Sequence, residues 1–130
     1  MSIDRATIAH TVAILSSIDG VRIRPGDLVE DTSYLALSFP QRLAYETAVV
    51  NTAKALKDIA RNRVSCDELS GAYQGWESYH YQPKVGQGIA ADMRVVFKRE
   101  PEAIRILGFG HRYIPDDLYK RLNALQRNKE

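Results

Sequence analysis

The chain has 130 residues, 45% of them hydrophobic, which suits one globular domain around one core. A formal net charge of +2 excludes a strongly polyanionic or polycationic protein, and a single cysteine, Cys66, excludes an intramolecular disulfide or a cysteine-based metal cluster. No apolar run approaches membrane-spanning length and the first residues do not read as a signal peptide, so a cytoplasmic protein with no membrane association is expected.

Taken in order, Ser2 can cap a helix over residues 3–16, with Ile8, Val12 and Leu15 along one face and Asp19-Gly20 at its end. His10 in this helix reads as a surface histidine. Residues 21–24 alternate like a short strand stopped by Pro25-Gly26, and Arg22 and Arg24 read as solvated edge charges. The acidic stretch 27–32 reads as a loop. Residues 33–37 fit either a short strand or a helical turn. Ser38-Phe39-Pro40-Gln41 has the form of a capping box and predicts a long helix over 39–62, with Leu43, Val49, Ala53, Leu56 and Ala60 as its buried stripe. Tyr45 on it reads as a packing residue. Cys66 reads as a half-buried thiol.

A glycine-containing loop over 67–75 leads to W-E-S-Y-H-Y-Q, a predicted strand over 76–82. Its faces are Trp76, Ser78, His80 and Glu77, Tyr79, Tyr81. With Trp76 inward, Glu77 and the tyrosines face a site; with the tyrosines inward, His80 joins it. Residues 84–90 read as a flexible connection. Then comes A-D-M-R-V-V-F-K-R-E-P-E-A-I-R-I-L-G-F-G-H-R-Y, two antiparallel strands joined by a turn at 99–102. Met93, Val95 and Phe97 alternate with Arg94, Val96 and Lys98; Ile104 and Ile106 are core candidates on the second strand. Parity then aims Arg94, Lys98, Arg105 and His111 at one surface, several donors and a proton carrier together, as a phosphodiester requires. Gly108 and Gly110 leave room for another backbone to approach. Asp116 and Asp117 start a last helix through Leu118, Leu122 and Leu125, followed by a polar tail over 126–130. Residues 1–60 hold 6 Lys/Arg against 7 Asp/Glu and the remainder 12 against 9, so the basic excess sits with the hairpin.

The order of L-S-G-x-x-x-G-W-E-S-Y-H, D-M-R-V-V-F-K and I-R-I-L-G-F-G-H-R, over roughly residues 34–122, resembles the RelE/ParE-type toxins of bacterial toxin-antitoxin pairs. The resemblance rests most on Leu69, Gly71, Arg94, Val95, Phe97, Ile106 and Gly110-His111-Arg112. It implies an α+β fold: a small antiparallel sheet with helices packed on one face, here plus an extra N-terminal helix. A single domain is expected, with residues 1–31 as an extension, 32–125 as the toxin-like core and 126–130 as the tail. Departures are the extension, a helical region short for the family's helical hairpin, a long connection at 84–91 and a low net charge.

The resemblance also implies partners: a cognate antitoxin, with mRNA and the ribosome for RelE-like members or DNA gyrase for ParE-like ones. RelE-like members cut mRNA without a metal, so neither metal nor cofactor is expected. Such cleavage needs a base for the 2'-OH, cations for the phosphorane and an acid for the departing 5' oxygen. The expected roles are Arg94 and Arg112 on the phosphate, His111 as general acid and Glu77 or His80 as base. Tyr113 would orient the leaving group or stack on a base, with Lys84, Lys98 and Arg105 on flanking RNA phosphates. A gyrase inhibitor without nuclease activity and a noncatalytic binding module are the alternatives.

Overall fold

A computed structural model describes residues 3–129. Helix α1 (Arg5–Ser16) is capped by Asp4, whose carboxylate accepts from the Thr7 amide at 2.8 Å. The expected cap, Ser2, lies outside the described residues. A short strand β1 (Val21–Ile23) follows, and then, where a loop was expected, helix α2 (Pro25–Ser38). Pro25 sits at the helix start, where a missing N–H does no harm, and Asp27 complements the dipole in the first turn. The buried residues Leu28, Asp31, Thr32, Leu35 and Ala36 recur at helical spacing. An aspartate inside that stripe breaks the apolar pattern by which such a helix is read.

Helix α3 (Arg42–Ala60) starts later than the capping box implied. Gln41 is its N-cap and makes no side-chain cap bond. The Ser38 hydroxyl turns back instead, 2.9 Å from Tyr34 O and 2.6 Å from Ile114 O. Helices α2 and α3 are therefore separate, joined by residues 39–41. Val49, Ala53 and Leu56 are buried as expected, whereas Leu43 is 78% exposed.

The remaining strands are β2 (Asp67–Glu68), β3 (Glu77–Tyr81), β4 (Met93–Arg99) and β5 (Ile104–His111). The sheet order is β1-β5-β4-β3-β2, with β1 parallel to β5 and the other pairs antiparallel. The α+β class holds, but the sheet is mixed rather than wholly antiparallel. Helices also cover both faces, not one. Met93, Val95, Phe97, Ile104, Ile106 and Phe109 pack under α1, α2 and α3, while Val96, Leu107, Tyr73 and Trp76 pack under Leu118 and Leu122 of α4 (Leu118–Ala124). No helix among the described residues is long and apolar enough to cross a membrane.

Two features of β5 set the geometry of everything near it. Val96 pairs with Gly108 and Phe97 with Ile106, which leaves Leu107 as the extra residue of a β-bulge. Phe109 and His111 are thereby moved to the three-helix face. Secondly, β1 ends at Ile23 opposite Ile106, so the outer edge of β5 beyond that point has no strand beside it. Side chains take its place: Asp31 accepts from the Phe109 amide at 3.1 Å, Arg121 donates to Phe109 O at 3.0 Å, and Arg127 donates to Leu107 O at 3.1 Å.

Both arginines close on the Asp31 carboxylate, at 3.0 Å from Arg121 and 2.9 Å from Arg127. Arg127, expected in a polar tail, is 4% exposed and Asp31 is 0% exposed. Gly108 leaves the space this cluster needs: a Cβ there would lie 2.6 Å from Leu122 Cδ2 and 3.0 Å from Arg127 Nη1. The groups that approach these glycines are side chains, not the backbone that was expected.

Asp31→Ala leaves the buried Arg121 without a carboxylate and Arg127 with only Asp27 and Glu30, at 3.3 and 3.8 Å, and should lower stability by about 3–5 kcal/mol in urea unfolding followed by circular dichroism. A loss below about 1 kcal/mol would mean that the cluster does not hold the edge.

Candidate functional site

Strand β3 alternates between two covered faces. Tyr81 is buried against the three-helix core with its hydroxyl 2.8 Å from Thr52 Oγ1, and Tyr79 packs beside it. Glu77 shares that face and pairs with Arg99 at 3.2 Å. Trp76, Ser78 and His80 take the opposite face, the one that carries α4. The question left open by the alternation therefore resolves toward His80, and Glu77 is placed away from Arg94.

His80 lies directly across from Arg94, which lies across from Gly110. The ring is half-exposed, with Nε2 3.9 Å from the Asp67 carboxylate and 3.4 Å from Ser78 Oγ. Both contacts fall on Nε2, and Nδ1 makes no hydrogen bond with the described residues. Burial lowers the His80 pKa below its ordinary value; Arg94 and Arg112 lower it further and Asp67 opposes them. His80 is thus favoured as a neutral imidazole, in register with Arg94 and within the electrostatic reach of Arg112.

Each guanidinium is fixed by its own contacts. Arg94 curls over the start of β4, donating to Ala91 O at 2.6 Å and Met93 O at 3.1 Å. Arg112 is bonded to the Asp117 carboxylate, and lies 5.4 Å from the Tyr113 ring and 5.1 Å from the Tyr119 ring. Asp117 also caps α4 through the Tyr119 amide at 2.9 Å, so the helix start and the arginine share one anchor. Tyr113 beside it is 61% exposed.

His111 is placed differently. The bulge turns it to the three-helix face, opposite Met93 and 6.1 Å from the Phe39 ring, with 9% of its side chain exposed. Its Nδ1 accepts from the amides of Tyr113 and Ile114, both at 3.0 Å. Nε2, which then carries the hydrogen, faces Asp92 at 4.0 Å. Burial pushes the pKa below the ordinary value, Asp92 opposes this, and Arg94 adds to it. A protonated His111 would lose both backbone bonds, and the neutral ring has no open lone pair. The general-acid role expected of it does not fit this geometry.

Lys98 and Arg105 share the α4 face with His80 but sit at its other end, over Trp76 at 4.7 and 5.6 Å. The ridge of Tyr73, Leu118 and Leu122 stands between the two ends. Lys84 is exposed in the connection after β3, which Gln82 closes by donating to Gly86 O at 2.9 Å and Ile89 O at 2.6 Å. The structure thus sets His80 opposite Arg94 and Arg112 against Tyr113, and separates these from Glu77, Lys98 and Arg105. His111 touches Tyr113, with 6.2 Å between ring centroids, but its Nδ1 is spent on the amides of residues 113 and 114. The structure adds Asp67 and Asp117, which sequence reasoning missed as partners. Asp67 belongs to a strand of two residues, too short for any period to reveal, and Asp117 already had a sufficient reason to be present as a helix cap.

No family model, no curated protein and no solved structure matches this chain.

The contrast between the histidines is open to test by stability against pH. Because the folded pKa of His111 is depressed, its stabilising contribution is full above the unfolded value of ~6.5 and is lost as the pH falls through the folded value. His111→Asn keeps an acceptor near the Nδ1 position but cannot titrate, so the loss of stability between pH 7 and 5 should shrink. His111→Ala should cost about 1–2 kcal/mol at pH 7 by leaving the two amides without their partner. Wild type and His111→Asn with the same dependence on pH in thermal unfolding would contradict the assignment.

Proposed function

We propose that this protein is the toxin of a bacterial toxin-antitoxin pair, a RelE-like, metal-independent endoribonuclease that cuts mRNA at the ribosome and is held inactive by a cognate antitoxin. One observation carries the reading: a half-exposed His80, its Nδ1 without a hydrogen bond to the described residues, lies in register with Arg94, and the charges of Arg94 and Arg112 help to keep it neutral. Further support comes from the order of elements, two consecutive helices, α2 and α3, ahead of the β3-β4-β5 meander.

In this reading His80 Nδ1 takes the proton from a 2'-OH, and the resulting alkoxide attacks the adjacent phosphorus. Arg94 and Arg112 donate to the non-bridging oxygens as negative charge builds on the phosphorane. The bond to the 5' oxygen then breaks, leaving a 2',3'-cyclic phosphate and a 5' hydroxyl whose proton comes from Tyr113 or solvent. Asp67 is a positioning residue that directs Nε2–H and so leaves Nδ1 toward the substrate. The commitment of His111 to two backbone amides favours a second reading, a ParE-like gyrase inhibitor or binding module that cuts nothing.

Induced expression in bacteria, with growth followed and mRNA 5' ends mapped, separates these. Wild type should arrest growth and produce new ends within translated frames, and His80→Ala should reduce those cuts on the order of 100-fold or more. Arrest with no new ends would move the reading to gyrase; no arrest would leave the binding module. In a purified translation system, the cleavage rate should be level above the ordinary histidine value of ~6.5 and fall as the pH drops through the lower value of His80, because the base must be neutral. A rate that rises on acidification would overturn the assignment of His80 as base.

A further inference from the structure

At the far end of the α4 face, three cations stand in register on three neighbouring strands. Arg22 of β1 pairs with Arg105 of β5, which pairs with Lys98 of β4. Val21 and Ile23 pack with the three-helix core, so Arg22 points to the α4 face, as do Arg105 and Lys98. With strands about 4.8 Å apart, the row runs roughly 10 Å across the sheet. Like charges directly opposite each other cost stability, and Glu100, 3.4 Å from Arg22, offsets part of that cost.

The row is also held in place. The Trp76 ring, 6% exposed, lies under both Lys98 and Arg105, so two of the three cations are oriented by a buried aromatic surface. Arg22 is the outward end, its side chain 64% exposed. Beside it lies an open hollow of about 530 Å³ whose charged lining is Arg22, Arg24 and Arg105 with Asp27 and Glu100. A linear row of oriented cations next to an open hollow matches a chain of monoanions better than a single one.

We propose that Arg22, Arg105 and Lys98 form a second phosphodiester-binding strip, which holds single-stranded RNA away from the cleavage cleft and contributes affinity rather than chemistry. The strip rests on the ribonuclease reading for its ligand. It differs from that site in place: Lys98 is four residues from Arg94 along β4, about 13 Å, and the α4 ridge lies between. RNA reaching both passes over the ridge of Tyr73 and α4, a distance that a few nucleotides cover. Sequence alone gave Arg22 no such role, because its register with Arg105 exists only once β1 joins the sheet in parallel.

The test is fluorescence anisotropy of a labelled single-stranded RNA oligonucleotide, titrated with the full chain at several salt concentrations. Wild type, Arg22→Gln with Lys98→Gln, and His80→Ala are compared after circular dichroism shows each to be folded. The double variant should bind at least about tenfold more weakly and lower the slope of log K against log salt by about 1.4, the contribution of two single-strand phosphate contacts. His80→Ala should bind as wild type does. In the induced-expression assay the double variant should still cut at the same positions.

Unchanged affinity and slope in the double variant would overturn the strip while leaving the cleavage reading intact. Strip-dependent binding by a protein that cuts no mRNA would sustain the strip and remove the nuclease. Arg22→Glu with Lys98→Glu gives a second, stronger variant, expected to abolish measurable binding. Retention of binding by that variant would also overturn the proposal.

Discussion

The structure depends on how the outer edge of β5 is finished. A strand edge presents amides and carbonyls that need partners, and β1 supplies them only as far as Ile106. From there the role passes to one aspartate and two arginines, drawn from α2, α4 and the C-terminal turn at Arg127–Lys129. Placing these ions out of water costs several kcal/mol each, and the cluster offsets this by satisfying main-chain groups and its own charges at once. Burial pushes the Asp31 carboxyl upward, while Arg127, Arg121 and the Phe109 amide pull it back. The arrangement has a directional consequence that an apolar contact would lack: Asp31 fits only where both guanidiniums and the Phe109 amide meet, so α2 and α4 are fixed to one register on β5.

That register reaches the candidate site through α4. Arg121 fixes the helix over the end of β5, and Asp117 at its first turn then meets Arg112. Arg112 comes from just beyond the strand whose bulge sends His111 the other way. The bulge and the edge cluster therefore act on consecutive residues with opposite results: one side chain is drawn to the three-helix face, and the next is delivered to the start of α4, against Asp117 and Tyr119.

Much of this was legible in the sequence, and the failures share a cause. Helix α3, the meander and the apolar anchors of α4 follow from periodicity because their buried positions carry apolar side chains. Helix α2 did not, because Asp31 and Thr32 occupy buried positions and Asp27 and Glu30 surround them with charge; a polar core residue is invisible to a reading that equates burial with hydrophobicity. The parity of His111 failed for another reason. One bulged residue inverts every later side chain, and nothing in I-R-I-L-G-F-G-H announces where the extra residue falls. The choice between Glu77 and His80 stayed open because both faces of β3 are covered, which removes the usual contrast between wet and dry parity.

His80 and His111 show why a shifted pKa alone does not identify a proton carrier. Burial and Arg94 lower both, and a carboxylate opposes the shift in each. What separates them is the use made of Nδ1. In His111 two amides occupy it, so protonation requires the 113–114 turn to let go, and the ring serves as a strut. In His80 the carboxylate and the serine lie on the Nε2 side, so gaining a proton at Nδ1 breaks no hydrogen bond with the described residues. A proton acceptor needs a ring nitrogen that folding has not already spent, and of these two rings only the half-exposed one keeps its Nδ1 clear of hydrogen bonds with the described residues.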